Sequence, residues 1–170
     1  MKIGIISDNH KKLKKAKKAL DMLIDEGAEF IIHAGDIVEP QMLEMLKNSK
    51  KKYVAVFGNN DAHLQSYQGE YNLVSEPNYF KLAGKKFKLM HIPYYMSNDA
   101  EIIVFGHTHM FEAQMKNNTL YLNPGEICGR KKPLSECAML EILTNNYIVT
   151  HYQRADGSDD FTKKEYRFEI

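Results

Sequence analysis

Up to Phe57 the chain alternates short apolar runs with amphipathic stretches. Lys2 to Ser7 is a compact apolar run that predicts a buried strand. From Lys11 to Glu26, Leu13, Ala16, Leu20, Leu23 and Ile24 recur at helical spacing, with Gly27 placed to end the helix. Phe30 to Ala34 reads as the next strand. Pro40 suits the first turn of a helix carrying Met42, Leu43, Met45 and Leu46, and Tyr53 to Phe57 gives a third strand. This β-α-β-α-β order implies parallel strands joined by right-handed crossovers. Beyond Gly58 helical periodicity fades, and short strand-like runs follow at Tyr79 to Ala83, Lys86 to Met90, Ile102 to Phe105, Glu112 to Lys116, Thr119 to Leu122, Ala138 to Leu143 and Tyr147 to Tyr152. Asn117-Asn118 and Asn145-Asn146 have the composition of hairpin turns, and a last strand is expected to end near Ile170.

Composition narrows the class. The 170 residues carry 23 Lys+Arg against 22 Asp+Glu, a net charge of +1. A chain of this size buries about 70% of its unfolded surface, so one domain over residues 1–170 needs no disulfide to hold it. Near-neutrality argues against a protein built to neutralise a DNA backbone. Cys128 and Cys137 form no CxxC pair and read as reduced thiols. Asp8 comes too early for a secretory leader, and no stretch is apolar enough to span a bilayer, so the expectation is a cytoplasmic protein without a membrane partner.

Histidine, aspartate and asparagine collect just past the apolar runs. The first three strands lead into Asp8-Asn9-His10, Gly35-Asp36 and Gly58-Asn59-Asn60-Asp61. Later runs lead into His91, Gly106-His107-Thr108-His109 and Asn123-Pro124-Gly125. Ligands of α/β sheets gather outside the carboxyl ends of strands, so these clusters predict one site. Imidazole nitrogens with carboxylate and amide oxygens suit manganese, iron, zinc or nickel, and the lack of thiolates speaks against a structural zinc. In an extended segment residues i and i+2 project to one side, which would bring Asp8 with His10, and His107 with His109, to a shared centre. Asp8, His10, Asp36, Asn59, His91, His107 and His109 exceed what one tetrahedral ion needs, and suit two ions sharing a carboxylate.

The ordered set Asp8-x-His10, Gly35-Asp36, Gly58-Asn59-x-Asp61, His91, Gly106-His107-x-His109 resembles the calcineurin-like metallophosphoesterase superfamily. His33-Ala34-Gly35-Asp36, Gly58-Asn59-Asn60-Asp61, Asn123-Pro124-Gly125-Glu126 and the short length resemble its small archaeal and bacterial phosphodiesterase branch, over roughly Met1 to Tyr152. The resemblance implies an α/β sandwich of two central β-sheets flanked by helices, with two divalent transition-metal ions at one edge, manganese before nickel, zinc or iron. It implies one ion on Asp8, His10, Asp36 and His109 and another on Asp36, Asn59, His91 and His107, with Asp36 as the bridge. Two ions with Asp8, Asp36 and a bridging hydroxide leave about one positive charge, which attracts a phosphodiester anion. The implied activity is hydrolysis of a small-molecule or nucleotide phosphodiester by attack of that hydroxide on phosphorus, in a protein that could form a homodimer.

Three departures from the family pattern stand out. Asn60 occupies the position where most members carry a histidine assigned as proton donor to the leaving oxygen. A carboxamide is no acid, which leaves water or a neighbour such as Asp61 or His63 for that proton. His91 continues into Ile92-Pro93-Tyr94 rather than Gly-His, and the stretch to Gly106 is too short for the usual helix and strand, so a more aromatic rim is expected. Glu126 replaces the commonest serine and reads as a branch feature. Asn60 and Arg130 are candidate substrate contacts, with Arg130 as a phosphate clamp. His33 is expected to support the site rather than ligate, and Cys128 to be a buried, inert thiol.

Two other function classes remain. A non-catalytic interaction scaffold of the same fold would have no use for seven competent donors. A nucleic-acid-binding module rests on Lys11-Lys12-Leu13-Lys14-Lys15-Ala16-Lys17-Lys18, whose lysines fit the solvated face of an amphipathic helix better. Lys11 and Lys12, just after His10, could still raise the local field for an anion.

Overall fold

A computed structural model describes residues 1–170. The first half follows the predicted alternation: β1 Lys2–Ile6, α1 Leu13–Asp25, β2 Phe30–His33, α2 Pro40–Asn48 and β3 Lys52–Val56. The strands β1, β2 and β3 pair in parallel. Ala16, Ala19, Leu20 and Leu23 form the buried stripe of α1, with Leu13 and Ile24 at its margin. At the end of α1 the amide of Gly27, at φ +97°, bonds the Ile24 carbonyl and that of Ala28 bonds the Leu23 carbonyl. This is the Schellman stop, which requires a left-handed residue and explains the glycine. Pro40 opens α2, whose Met42, Leu43 and Leu46 are buried.

A 3-10 helix at Ala62–Tyr67 and the two-residue β4 Leu73–Val74, parallel to β3, follow. Neither has a pattern long enough to read from sequence. The remaining strands are β5 Asn78–Leu82, β6 Lys85–Leu89, β7 Ile102–Val104, β8 Phe111–Lys116, β9 Thr119–Pro124, β10 Leu134–Ile142, β11 Asn146–Ala155 and β12 Thr162–Glu169. Asn117 and Asn118, at φ 49° and 60°, make the tight turn between β8 and β9. Between β10 and β11 the tip falls one residue earlier than expected, because Asn146 already pairs with Glu169 of β12. Likewise β10 begins at Leu134 rather than near Ala138, because its polar first residues pair with the end of β11.

Two sheets result, one ordered β12-β11-β10-β1-β2-β3-β4 and the other β5-β6-β7-β9-β8. Strand alternation divides the apolar residues between two cores. Ile6 and Ile31 face the helices with Leu20, Leu23, Leu43 and Leu46. Ile3, Ile5, Ile32, Val54 and Val56 face the smaller sheet and meet Phe87, Leu89, Ile102, Val104 and Leu122. Burying each such side chain contributes about 1.5–3 kcal/mol. Both helices therefore lie outside the larger sheet. The outer face of the smaller one, bearing Ile103, Phe105 and Tyr121, is covered by Met96 and Ala100 from the irregular stretch after His91. That stretch hangs on Lys88, a fully buried lysine whose Nζ donates to the carbonyls of Tyr95 (2.8 Å) and Ser97 (2.9 Å) and pairs with Asp99. Tyr94 and Tyr95 of this stretch are exposed. No helix is long and apolar enough to cross a membrane.

Candidate metal centre

The carboxyl ends of β1, β2 and β3 and those of β6, β7 and β9 meet at one edge of the sandwich, where the predicted clusters converge. They do so by turning sharply, not by continuing extended. Asp8, His10, Asp36, His107 and His109 all have φ between 47° and 66°, the left-handed region. The D-x-H and H-x-H pairs thus converge through left-handed turns, which corrects the expectation of an extended i, i+2 register. Close backbone approach completes the fit. A Cβ on Gly58 would lie 2.2 Å from the Asp36 amide nitrogen, and one on Gly106 would lie 2.2 Å from Ser7 Oγ.

Four donors form a first set. The ligand atoms of Asp8, His10, Asp36 and His109 all lie within 4.8 Å of one another. Asp8 Oδ2 accepts from Ser7 Oγ (2.6 Å) and the His107 amide (3.1 Å), which leaves Oδ1 facing His109 Nε2 at 3.3 Å. Asp8 Oδ1 and His10 Nε2 are buried without a hydrogen-bond partner. Unsatisfied buried polar atoms are costly, so their pairing here fits a cation. Burial holds the Asp8 carboxyl above its ordinary range and the His10 imidazole below its own, which keeps the His10 lone pair free.

A second set lies alongside. Asn59 Oδ1 is 3.0 Å from His91 Nε2 and 3.0 Å from His107 Nδ1, and His91 Nε2 is 3.5 Å from Asp36 Oδ1. The other Asp36 oxygen, Oδ2, is 3.5 Å from His10 Nε2 in the first set. Asp36 therefore turns one oxygen to each group. Burial opposes its ionisation, but His91 and the Asn60 amide and carboxamide beside it win, and its carboxyl lies below the ordinary range. The donor chemistry, all nitrogen and oxygen, fits divalent transition metals in both sets.

Behind the donors stand residues that orient them. His33 is fully buried, and burial pushes its imidazole down to about 3. Neutral, it accepts from the Gly35 amide and donates through Nε2 to Asn9 Oδ1 (2.7 Å), tying the first two turns together as a supporting residue. Glu76 accepts from the amides of His91 and Ile92. Asn123 donates to the Gly106 carbonyl (2.9 Å) and Thr108 Oγ1. Buried Glu126 bonds His109 Nδ1, the Cys128 thiol, and the amides of Lys131 and Lys132. This fixes the His109 tautomer with Nε2 facing the donors. Burial and the Glu126 carboxylate push the Cys128 thiol up to about 12, so it stays protonated and inert. The sequence reading placed Glu126 in a branch motif without finding this role. Its position directly after the Asn123-Pro124-Gly125 cluster at a strand end was the available signal. Ser7 and Glu76 carried none.

The remaining candidates divide. Asn60 is exposed and spends its amide (3.0 Å) and Nδ2 (2.8 Å) on the two Asp36 oxygens. Asp61 is fully buried, and its carboxylate accepts from the amides of Ile37 (3.0 Å), Val38 (2.7 Å) and Gly58 (2.7 Å). It organises loops, a placement that speaks against Asp61 as the neighbour that protonates the leaving oxygen. His63 is exposed with Nε2 on the Val38 carbonyl at 2.7 Å. Arg130 lies 3.5 Å from His10 Nδ1 on a cleft of about 570 Å³ that His10 and Asn60 also line.

Similarity to known proteins agrees with the geometry. Residues 1–146 match the pattern of the calcineurin-like phosphoesterase superfamily domain. Phosphodiesterase MJ0936 of Methanocaldococcus jannaschii is 28% identical over 160 residues, covering 86% of this chain and 96% of that protein. Phosphodiesterase YfcE of Escherichia coli is 24% identical over 148 residues, covering 75% and 79%. Among solved structures, Vacuolar Protein Sorting 29 of Cryptosporidium parvum has a TM-score of 0.80 at 20% identity, covering 99% of this chain and 98% of that one, which concerns the fold. With two sheets and strand-end donors arranged this way, and a match over most of its length, the chain belongs to the calcineurin-like phosphoesterase superfamily.

Proposed function

We propose that this protein is a dinuclear metal-dependent phosphodiesterase acting on a small-molecule or nucleotide phosphodiester, with manganese the foremost ion. The observation that carries this reading is Asp36, whose two oxygens each face one donor set. Asp8, His10, Asp36 and His109 would hold one ion, and Asp36, Asn59, His91 and His107 the other. Two such ions supply Lewis acidity and an activated water for in-line attack on phosphorus. The chain's own residues do the rest. Glu126, Ser7 and Glu76 hold ligands in place, so binding needs little rearrangement. Asn60 Nδ2, at the mouth of the cleft, is a neutral donor for a phosphoryl oxygen once it leaves Asp36. The names of the two phosphodiesterase relatives support the same reaction class.

The test is hydrolysis of bis(4-nitrophenyl) phosphate by the manganese-loaded chain. Asp36→Asn is expected to lose bound metal and turnover together, and matched diesters to be preferred over monoesters. Equal rates for chelated and loaded protein would overturn the reading. A monoester preference of about ten-fold, or about 1.4 kcal/mol in transition-state binding, would reverse the substrate class.

A further inference from the structure

We propose that the cleft beside the first donor set binds a second phosphate on the substrate, so that the preferred diester carries a phosphate monoester on one of its ester arms. The proposal rests on the phosphodiesterase reading and names the substrate class of that site. The cleft, about 570 Å³, meets the centre at His10 and Asn60 and is also lined by Lys11, Lys12 and Arg130, the last 3.5 Å from His10 Nδ1. No carboxylate lines it, and none of these three cations has a carboxylate partner, whereas Lys15, Lys17 and Lys18 further along pair with Asp156, Asp21 and Asp159. The first turn of α1 has neither an acidic residue nor a capping side chain to offset the three charges. In a chain of net charge +1, so local an excess calls for a local anion.

Charge matching identifies that anion. The centre, with two ions and a hydroxide, keeps about one positive charge, enough for the diester monoanion alone. Three further cations suit a phosphate monoester, which carries about −1.5 to −2 at neutral pH. The positive strip is short: beyond the cleft Lys15, Lys17, Lys18 and Lys132 pair with Asp156, Asp21, Asp159 and Glu136, which leaves only exposed Lys14 and Lys131 to extend it. It therefore spans one extra phosphate and not a long nucleic-acid backbone.

The experiment compares thymidine 5′-monophosphate with thymidine 3′,5′-bisphosphate as inhibitors of bis(4-nitrophenyl) phosphate hydrolysis at low ionic strength, and as ligands in calorimetry. The bisphosphate is expected to bind at least about ten-fold more tightly in both assays. In the double variant Lys11→Gln, Lys12→Gln, both exposed positions that folding should tolerate, the ratio of the two affinities is expected to fall toward one. Equal affinities in the native chain, or an advantage that the double variant keeps, would overturn the proposal. Hydrolysis of the plain diester would then still support the proposed function. Preferential binding of the bisphosphate by a chain that hydrolyses no diester would instead overturn the proposed function and support the cleft.

Discussion

At the scale of single residues, Asn60 decides how the reaction can end. Its carboxamide donates to Asp36 and has no acidic proton to give the leaving oxygen. Asp61, fully buried under three amides, cannot take over. Unless exposed His63 supplies the proton, departure as an anion would make rate depend steeply on leaving-group acidity, and general acid catalysis, worth about 10² to 10⁴-fold, would be missing. Nitrophenyl diesters are expected to react well and alkyl diesters to lag, with Asn60→His selectively speeding the alkyl esters. The check is kcat/KM across diesters of graded leaving-group pKa. A flat native series under rate-limiting chemistry would mean that another group supplies the proton. Five of the seven proposed ligands sit at positive φ, a conformation costing about 1–3 kcal/mol each for residues other than glycine. Hydrogen bonds such as Ser7 to Asp8 and His33 to Asn9 hold those turns in place.

At the scale of elements, the stretch from His91 to Glu101 stands where the family pattern has a helix and a strand. It has no regular structure and is held from beneath by Lys88 of β6 and from the side by the Tyr79 hydroxyl on Asp99 at 2.8 Å. A fully buried lysine is retained only where its ammonium is fully paired. Lys88→Met would remove three hydrogen bonds and the ion pair while keeping the apolar stem. Breaking a buried pair by removing one partner costs about 3–5 kcal/mol, discounted here because Asp99 is half-exposed. The amides of Tyr94 and Asp99, which bond the Ile92 and Ser97 carbonyls, are expected to lose hydrogen-exchange protection while those of β1 to β3 keep theirs. Unchanged protection in the loop would show that Met96 and Ala100 packing alone fixes it.

At the scale of the molecule, the donor sets draw on both sheets. Asp8, His10, Asp36 and Asn59 follow strands of the larger sheet, and His91, His107 and His109 follow strands of the smaller. Metal binding would therefore staple the sheets across the inter-sheet core, and a ligand that binds only the folded state stabilises it by mass action. Free manganese at a hundred times Kd adds about 2.7 kcal/mol per site, or about 5–11 °C in Tm for a domain of this size. Chelation should reverse the shift. A Tm unchanged by metal that is demonstrably bound would place the ion on donors accessible in the unfolded chain.

The sequence alone determined the parallel βαβαβ half, because apolar period and helix punctuation at Gly27 and Pro40 are local signals. It also determined which donors follow which strands, since a strand end carries its polar residue wherever the sheet goes. Only the tertiary structure decided that Asp36 faces both donor sets, that Glu126 orients His109, and that Asp61 lies under the loops. Each of these contacts joins residues from different turns, and chain spacing holds no record of how far a turn rotates its side chain. The same holds for the lysines after His10. Composition counts them as one basic run; Lys17 meets Asp21 one helical turn on, a local pair, but only the fold brings Asp156 to Lys15 and Asp159 to Lys18 and leaves Lys11 and Lys12 facing the cleft, because distant electrostatic partners are chosen by position in space.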